Sequence, residues 1–349
     1  MNAQKSETKV LKTDAEGIDS ASLEEAALLL RAGGLVAFPT ETVYGLGANA
    51  LSPEAVARIF EAKGRPSNNP LIVHIRSIEA AKQLVREWTP IAQRLAEAFW
   101  PGPLTLVLPK SDIAPDIVTG GGSTIALRIP AHPVALQLLL KTGLPIAAPS
   151  ANRSLSISPT CAEHVLKSLG GRIDLILDGG SCPGGIESTV LNLTVDPPQI
   201  LRPGLISSLE IEAVIGSLAQ ARPEEADIAS RETVALVSPG MSAKHYAPDT
   251  PLILSDEKMA FELGMQGERV AFLARQTSET LSQFHTGKYS LIAMPLTPKE
   301  YAASIYATLH KLDDAGYSLL VAEPLPPTEE WDAVRDRLNR ASFNDKNSG

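Results

Sequence analysis

Lys63 and Arg65 stand on either side of Gly64 and run directly into Pro66-Ser67-Asn68-Asn69-Pro70. Lysine supplies a point charge and arginine a planar fork, a pair suited to the oxygens of a polyphosphate. Two cations at the end of a helix also suit its dipole, so capping is the other reading. The prolines that lock the turn, and the amides of Asn68 and Asn69 beside the cations, favour phosphate.

Other segments carry chemistry of the same kind. Leu35–Phe38 is a short apolar run that reads as a buried strand, and Pro39, with no N–H to donate, ends its ladder. Thr40, Glu41, Thr42 and Tyr44 follow, then Gly45 and Gly47. Hydroxyls and a carboxylate at the carboxyl end of a strand, before a permissive backbone, are how an open α/β sheet builds a ligand floor. A plain polar turn is the alternative. In Thr124–Pro130, alternation puts Thr124, Ala126 and Arg128 on one side of a strand. An arginine in so apolar a run must meet a carboxylate or a solvent-filled pocket, and a structural ion pair explains it equally well. Ser150 and Asn152 precede Ser154, Ser156, Ser158 and Thr160, which could cap a helix from Pro159 or hold anionic oxygens. Ser188 and Thr189 follow a glycine-rich stretch, and Arg202 closes a strand. His74 ends a strand at the same rim; the other histidines are scattered and suggest no metal site. Neither a Walker sequence nor Gly-x-Gly-x-x-Gly after a strand is present.

Positioning these residues takes a sizeable scaffold. At 349 residues, two domains are the natural expectation. Hydrophobic content of 44% gives room for a core, and no apolar run approaches the roughly 20 residues of a membrane helix. The polar N-terminus lacks a signal-peptide core, so a cytoplasmic protein is expected. Cys161 and Cys182 read as free thiols. A formal charge of −9 argues against a broad nucleic-acid face, as an RNA-binding module would need, but not against a small positive pocket.

Strands and helices alternate irregularly up to residue 219, which predicts a twisted mixed open sheet with helices on its faces. Ser22 with Glu25 reads as a capping box for the first helix, and Ser52-Pro53 as the start of the next. Residues 1–18 read as a flexible lead, 19–220 as the first domain and 221–250 as an acidic linker. A second alternation over 251–343 predicts a small Rossmann-like three-layer α/β domain, followed by a tail at 344–349.

Taken together, the chain resembles the long form of the threonylcarbamoyl-adenylate synthase family, with a YrdC-type catalytic domain and a C-terminal extension. The matching runs are Phe38-Pro-Thr-Glu-Thr-Val-Tyr-Gly-Leu-Gly47, Lys63-Gly-Arg-Pro66, Asn69-Pro-Leu-Ile-Val-His74, Trp100-Pro-Gly-Pro103, Leu127-Arg-Ile-Pro130, Pro149-Ser-Ala-Asn152, Gly185-Ile-Glu-Ser-Thr-Val190 and Leu201-Arg-Pro-Gly204. Ser238-Pro-Gly-Met241 with His245-Tyr-Ala-Pro248 resembles the family's interdomain linker. The chain departs from the family pattern at Leu155, where glycine is usual, and at Asn192, where an acidic residue is common.

The resemblance implies ATP-dependent joining of L-threonine and bicarbonate into L-threonylcarbamoyl-AMP, with release of pyrophosphate and with Mg²⁺ on the phosphates. The product would feed a downstream threonylcarbamoyl-transferase complex that modifies the adenosine beside the anticodon of tRNAs reading codons that begin with A. By the same resemblance Lys63, Arg65, Asn69, Thr124, Ser150, Asn152, Thr160 and Arg202 would hold the nucleotide. Thr40, His74, Arg128 and Ser188 would hold threonine, with Arg128 forked on its carboxylate. Tyr246 would close over the nucleotide as a lid. Lys63 and Arg65 would act catalytically, and His74 is the candidate base for the threonine amine. No resident metal, stable nucleic-acid binding or membrane association is expected.

Overall fold

A computed structural model of the chain describes residues 7–13, 20–219, 246–275 and 288–342. It divides into two compact units, with Leu155–Ile157 grouped in the second. The first unit is built on strands β1 (Lys9–Lys12), β2 (Val36–Phe38), β3 (Gly45–Asn49), β4 (Ile72–His74), β5 (Leu104–Pro109), β6 (Thr124–Arg128), β7 (Ile146–Ala147), β8 (Leu175–Asp178), β9 (Thr189–Asn192) and β10 (Gln199–Arg202). They form one sheet in the order β1-β8-β2-β3-β7-β4-β6-β5-β9-β10. Parallel pairs such as β4 with β6 and β5 with β9 are interleaved with antiparallel ones, the expected mixed sheet.

Helices α1 (Ser20–Arg31), α2 (Pro53–Lys63), α3 (Ile78–Leu84), α4 (Pro90–Phe99), α5 (Pro133–Thr142), α6 (Ala162–Leu169) and α7 (Ser208–Ile215) cover it. Residues paired across strands share a face, as do alternate residues along one. Ala37, Leu46, Ala48, Val73, Leu106, Leu127 and Leu191 bury one face against Ile59, Leu95, Val165 and Ile211 of α2, α4, α6 and α7. Each large apolar side chain so buried contributes about 1.5–3 kcal/mol. On the other face Val36, Phe38, Ile146 and Leu175 lie under Leu23 and Leu30 of α1 and Leu138 of α5. Farther along that second face the composition changes. Register places His74, Arg128, Thr105 and Arg202 there, around a small apolar floor of Ile72, Val107, Ala126 and Val190.

The structure corrects four local readings. Lys9–Lys12, expected in the flexible lead, form an edge strand parallel to β8, held through the backbone rather than by an apolar face. Ser22 lies inside α1, which begins at Ser20, and its hydroxyl reaches the Lys12 carbonyl at 3.5 Å. Gly45–Asn49, read as permissive backbone, is a strand. A Cβ at Gly47 would sit 2.8 Å from Phe38 Cε1 and 2.9 Å from Ile146 Cγ2, so close packing is what the glycine serves. The helix expected from Pro159 starts at Ala162, after Cys161. The start of α2 is as expected, with Ser52 Oγ accepting from the Ala55 N–H at 3.2 Å.

In the second unit β11 (Leu252–Leu254), β12 (Val270–Ala274), β13 (Tyr289–Ala293) and β14 (Leu319–Ala322) make a parallel sheet in the order β11-β14-β12-β13. Helices Glu257–Met265, Pro298–Asp314 and Asp332–Ala341 accompany it. Of the linker expected over 221–250, residues 221–245 lie outside the described residues, as do the helix expected between β12 and β13 and the C-terminal tail. Among the described residues no helix is long and apolar enough to cross a membrane.

Candidate functional site

α2 delivers the first cation. Gly64, at φ 62°, closes the helix with its N–H on the Glu61 and Phe60 carbonyls. This left-handed turn is cheap for glycine, and both flanking cations are buried, Lys63 at 3% and Arg65 at 8% exposure. Lys63 Nζ donates to the Ser150 carbonyl at 2.6 Å and to the Asn152 carbonyl. The ammonium therefore ties the helix end to the Pro149–Asn152 strap rather than capping its own helix. Burial first, and the Arg65 charge second, hold its pKa well below the usual lysine value. Arg65 Nη2 donates to Asn69 Oδ1 at 2.5 Å and to the Pro70 carbonyl at 3.0 Å. The strap itself lies along β3, with the Leu46 N–H on the Pro149 carbonyl at 2.7 Å and the Ala151 N–H on the Tyr44 carbonyl at 2.8 Å.

The second group gathers where β4 and β6 end, with His74 and Arg128 side by side in register. Arg128, 3% exposed, donates from Nε to the Gly102 carbonyl at 3.1 Å and from both terminal nitrogens to Thr42 Oγ1 at 3.1 Å. Its Nη2 lies 2.6 Å from Glu41 Oε1. Thr40 sits beneath: its hydroxyl donates to the Val43 carbonyl at 2.6 Å, lies 2.7 Å from Thr42 Oγ1 and accepts the Thr42 and Val43 N–H groups. Arg128 thus meets a carboxylate, the ion pair that the sequence allowed, and the Thr42 hydroxyl and Gly102 carbonyl take its other donors. As the chain stands, the guanidinium fork is closed on Thr42 and Glu41.

His74 joins this group but is ill suited to take a proton. Burial, then the Arg128 charge, push its imidazole down to a pKa of about 3. Phe38 lies edge-on 6.1 Å away, and His74 Nδ1 is buried without a hydrogen-bond partner among the described residues.

A third group lies at the start of β9. Arg202, 4% exposed, donates to the Ser188 carbonyl from Nε at 3.1 Å and from Nη2 at 3.0 Å, and to Ser188 Oγ at 3.2 Å. Ser188 Oγ lies 2.8 Å from Thr105 Oγ1. Arg202, expected with the nucleotide, is therefore packed on Ser188, expected with threonine. Gly204 permits that packing, since a Cβ there would stand 2.3 Å from the Thr189 nitrogen.

Thr160 is buried beside His164 Nδ1 at 3.3 Å, and its carbonyl accepts the Cys182 N–H at 2.8 Å. The Cys182 thiol is pushed up to about 12 by burial first, with smaller contributions from the Glu41 and Arg128 charges. Thr124 opens β6 on the same face as Arg128, about 13 Å away along the strand. Tyr246 belongs to the second unit. It is 1% exposed, stacked 6.0 Å from Tyr306, with the Arg337 guanidinium 5.1 Å from its ring.

Four cations, Lys63, Arg65, Arg128 and Arg202, are buried in the first unit of an otherwise acidic protein. Buried cations call for anions, and hydroxyls and carbonyls stand among them. Sequence reasoning noticed Glu41 and Thr42 without assigning either. It passed over Thr105, which sits in an apolar run and shows its role only through register.

Fold and site together define a YrdC-type α/β catalytic domain, a mixed sheet carrying buried cations and hydroxyls, followed by a parallel-sheet domain. Residues 28–204 match the Sua5/YciO/YrdC family, described as telomere recombination. Residues 206–342 match the threonylcarbamoyl-AMP synthase C-terminal domain. A threonylcarbamoyl-AMP synthase of Pyrococcus abyssi is 42% identical over 337 residues, covering 94% of this chain and 96% of that one. One of Bacillus subtilis is 43% identical over 338 residues, covering 95% of each. The crystal structure of P. abyssi Sua5 complexed with L-threonine superposes with a TM-score of 0.86 at 40% identity, covering 96% of this chain and 98% of that one. Escherichia coli YciO shares the fold of the first unit, with a TM-score of 0.51 at 23% identity over 57% of this chain. The chain belongs to the threonylcarbamoyl-AMP synthase family of enzymes.

Proposed function

We propose that the chain joins L-threonine, bicarbonate and ATP into L-threonylcarbamoyl-AMP and releases pyrophosphate, supplying threonylcarbamoyl for the adenosine next to the anticodon of tRNAs that read codons beginning with A. The observation that carries this reading is the burial of four cations, Lys63, Arg65, Arg128 and Arg202, each hydrogen-bonded to carbonyl, amide or hydroxyl oxygens of the first unit. Adenylyl transfer to a carbamate oxygen needs alignment and charge stabilisation more than covalent help. Lys63, Arg65, Asn69, Ser150 and Asn152, tied to one another in two bonded groups, are read here as the triphosphate site, with Thr124 and Thr160 assigned to it by the family resemblance. Thr40, Arg128, His74 and Ser188 line the amino-acid end. The related P. abyssi protein is complexed with L-threonine in its crystal structure, which supports L-threonine as the amino acid here.

Mg²⁺ enters with the nucleotide in this reading. Among the described residues no three His, Cys, Asp or Glu side chains are grouped to hold a metal, and in this reading the phosphates and water would supply most of its ligands. The downstream partner is an enzyme that transfers the threonylcarbamoyl group to tRNA. The test is pyrophosphate release from ATP, with threonine and bicarbonate left out in turn. Release only when all three are present supports the reading; release without threonine overturns it.

A further inference from the structure

The reaction proposed above begins with an amine that is protonated at neutral pH, and His74 is held neutral in a way that makes it a poor proton acceptor. Lys63 is tied to two carbonyls. Glu41 is differently placed. Its backbone is pinned, with the carbonyl accepting the Gly184 N–H at 2.8 Å. A Cβ at Gly184 would lie 2.6 Å from that carbonyl, so the glycine-rich loop lies against it. The side chain is 14% exposed and one oxygen lies 2.6 Å from Arg128, yet both oxygens are buried with no aligned hydrogen-bond donor among the described residues. A buried carboxylate with unused lone pairs is costly. Here it stands in the middle of the amino-acid group, where an ammonium would satisfy it.

We propose that Glu41 is the group that binds the substrate ammonium and takes its proton, making it a catalytic residue. The inference rests on the amino-acid adenylation reading given above. An ammonium N–H gives its proton to a Glu41 oxygen, leaving a neutral amine. The amine nitrogen then bonds to the bicarbonate carbon while the C–OH bond breaks, and the departing hydroxide takes a second N–H proton as water. The products are the carbamate anion, one water and a protonated Glu41, which loses that proton to water before the next turnover. Arg128 holds the carboxylate in place, and Thr42 and Gly102 hold Arg128.

The titratable and charged groups facing Glu41 are Arg128 of β6, His132 at the start of α5 and Cys182 of the glycine-rich loop, with His74 behind Arg128. Burial pushes the His132 and His74 imidazoles down and the Cys182 thiol up to about 12. Between pH 7.5 and 9.5 His74 and Cys182 keep one charge state and His132, held below its ordinary value, stays neutral, so a pH profile there reads the substrate amine.

The experiment compares the full chain with Glu41→Gln in two assays. In the forward direction, kcat/KM for L-threonine, followed by pyrophosphate release, should fall about 100- to 1,000-fold at pH 7. It should then recover about tenfold per pH unit as the free amine deprotonates unaided. In reverse, the yield of ATP from threonylcarbamoyl-AMP and pyrophosphate should fall at least tenfold less than the forward rate, because the carbamate leaves as an anion and no amine proton moves. That second assay also shows that the variant is folded. Loss of equal size in both assays, a forward defect that does not change with pH, or undiminished forward turnover overturns the proposal. Should the unsubstituted protein itself release no pyrophosphate, the functional reading fails instead, and the two failures are told apart.

Discussion

Arg65 is the sharpest probe of single-residue chemistry, because its removal separates function from folding. Its charge adds to the pressure that lowers the Lys63 pKa, so Arg65→Ala relieves repulsion between buried cations while losing the bonds to Asn69 and Pro70. Pyrophosphate release should drop about 100- to 1,000-fold, as for loss of one transition-state donor, with the thermal midpoint nearly unchanged. Undiminished turnover would remove Arg65 from the phosphate site. His74 is best read through stability. Its folded-state pKa of about 3 lies below the ordinary 6.5, so the unfolded chain binds the extra proton. Stability from this group is therefore full above pH 6.5 and declines as pH falls toward 3. Between pH 7 and 5 the loss is about 2 kcal/mol. Urea unfolding at the two pH values should show it, and His74→Gln should show less. The cations were legible in the sequence because charge stands out in apolar runs. The Glu41–Arg128 pair was not, since 86 residues of chain separate Thr42, the neighbour of Glu41, from Arg128 and register alone joins them.

At the scale of elements, glycines set the distances the site needs. Gly204 brings the β10 end onto the start of β9, with the Ser188 carbonyl carbon 2.5 Å from where a Cβ would stand. Gly204→Ala should destabilise the protein by about 1–3 kcal/mol, as overpacking does, and weaken L-threonine affinity by displacing Ser188. Denaturant midpoints and calorimetric titration measure the two effects, and unchanged values for both would show that the junction is slack. Leu155, at φ 70°, holds a left-handed conformation where the family usually has glycine. Leu155→Gly should therefore raise the unfolding free energy by about 1 kcal/mol. Asn192 accepts from Thr194 N at 3.0 Å and Thr194 Oγ1 at 2.7 Å, bonds a carboxylate there would accept equally. The apolar strands were legible because both their faces are buried, as Val270–Ala274 shows. β1 and β3 were not, because backbone pairing holds the one and close-packed glycines the other.

For the molecule as a whole, what matters is four buried cations inside a chain of net charge −9. Lys63, Arg65, Arg128 and Arg202 are each under a tenth exposed, and the cost of keeping them so is carried by the ligand-free fold. An anion that binds only the folded state offsets that cost by mass action, about 2.7 kcal/mol at a hundred times its Kd. ATP with Mg²⁺ should accordingly raise the thermal midpoint of the first unit by roughly 5–10 °C for a domain of this size, whereas sodium chloride at matched ionic strength should not. Bulk salt screens exposed charges and reaches buried ones poorly. The Arg65→Ala variant should keep its ligand-free midpoint and lose most of the ATP-dependent rise. An equal rise in that variant, or an equal rise with sodium chloride, would mean that the buried cations serve the scaffold and that the nucleotide is held elsewhere.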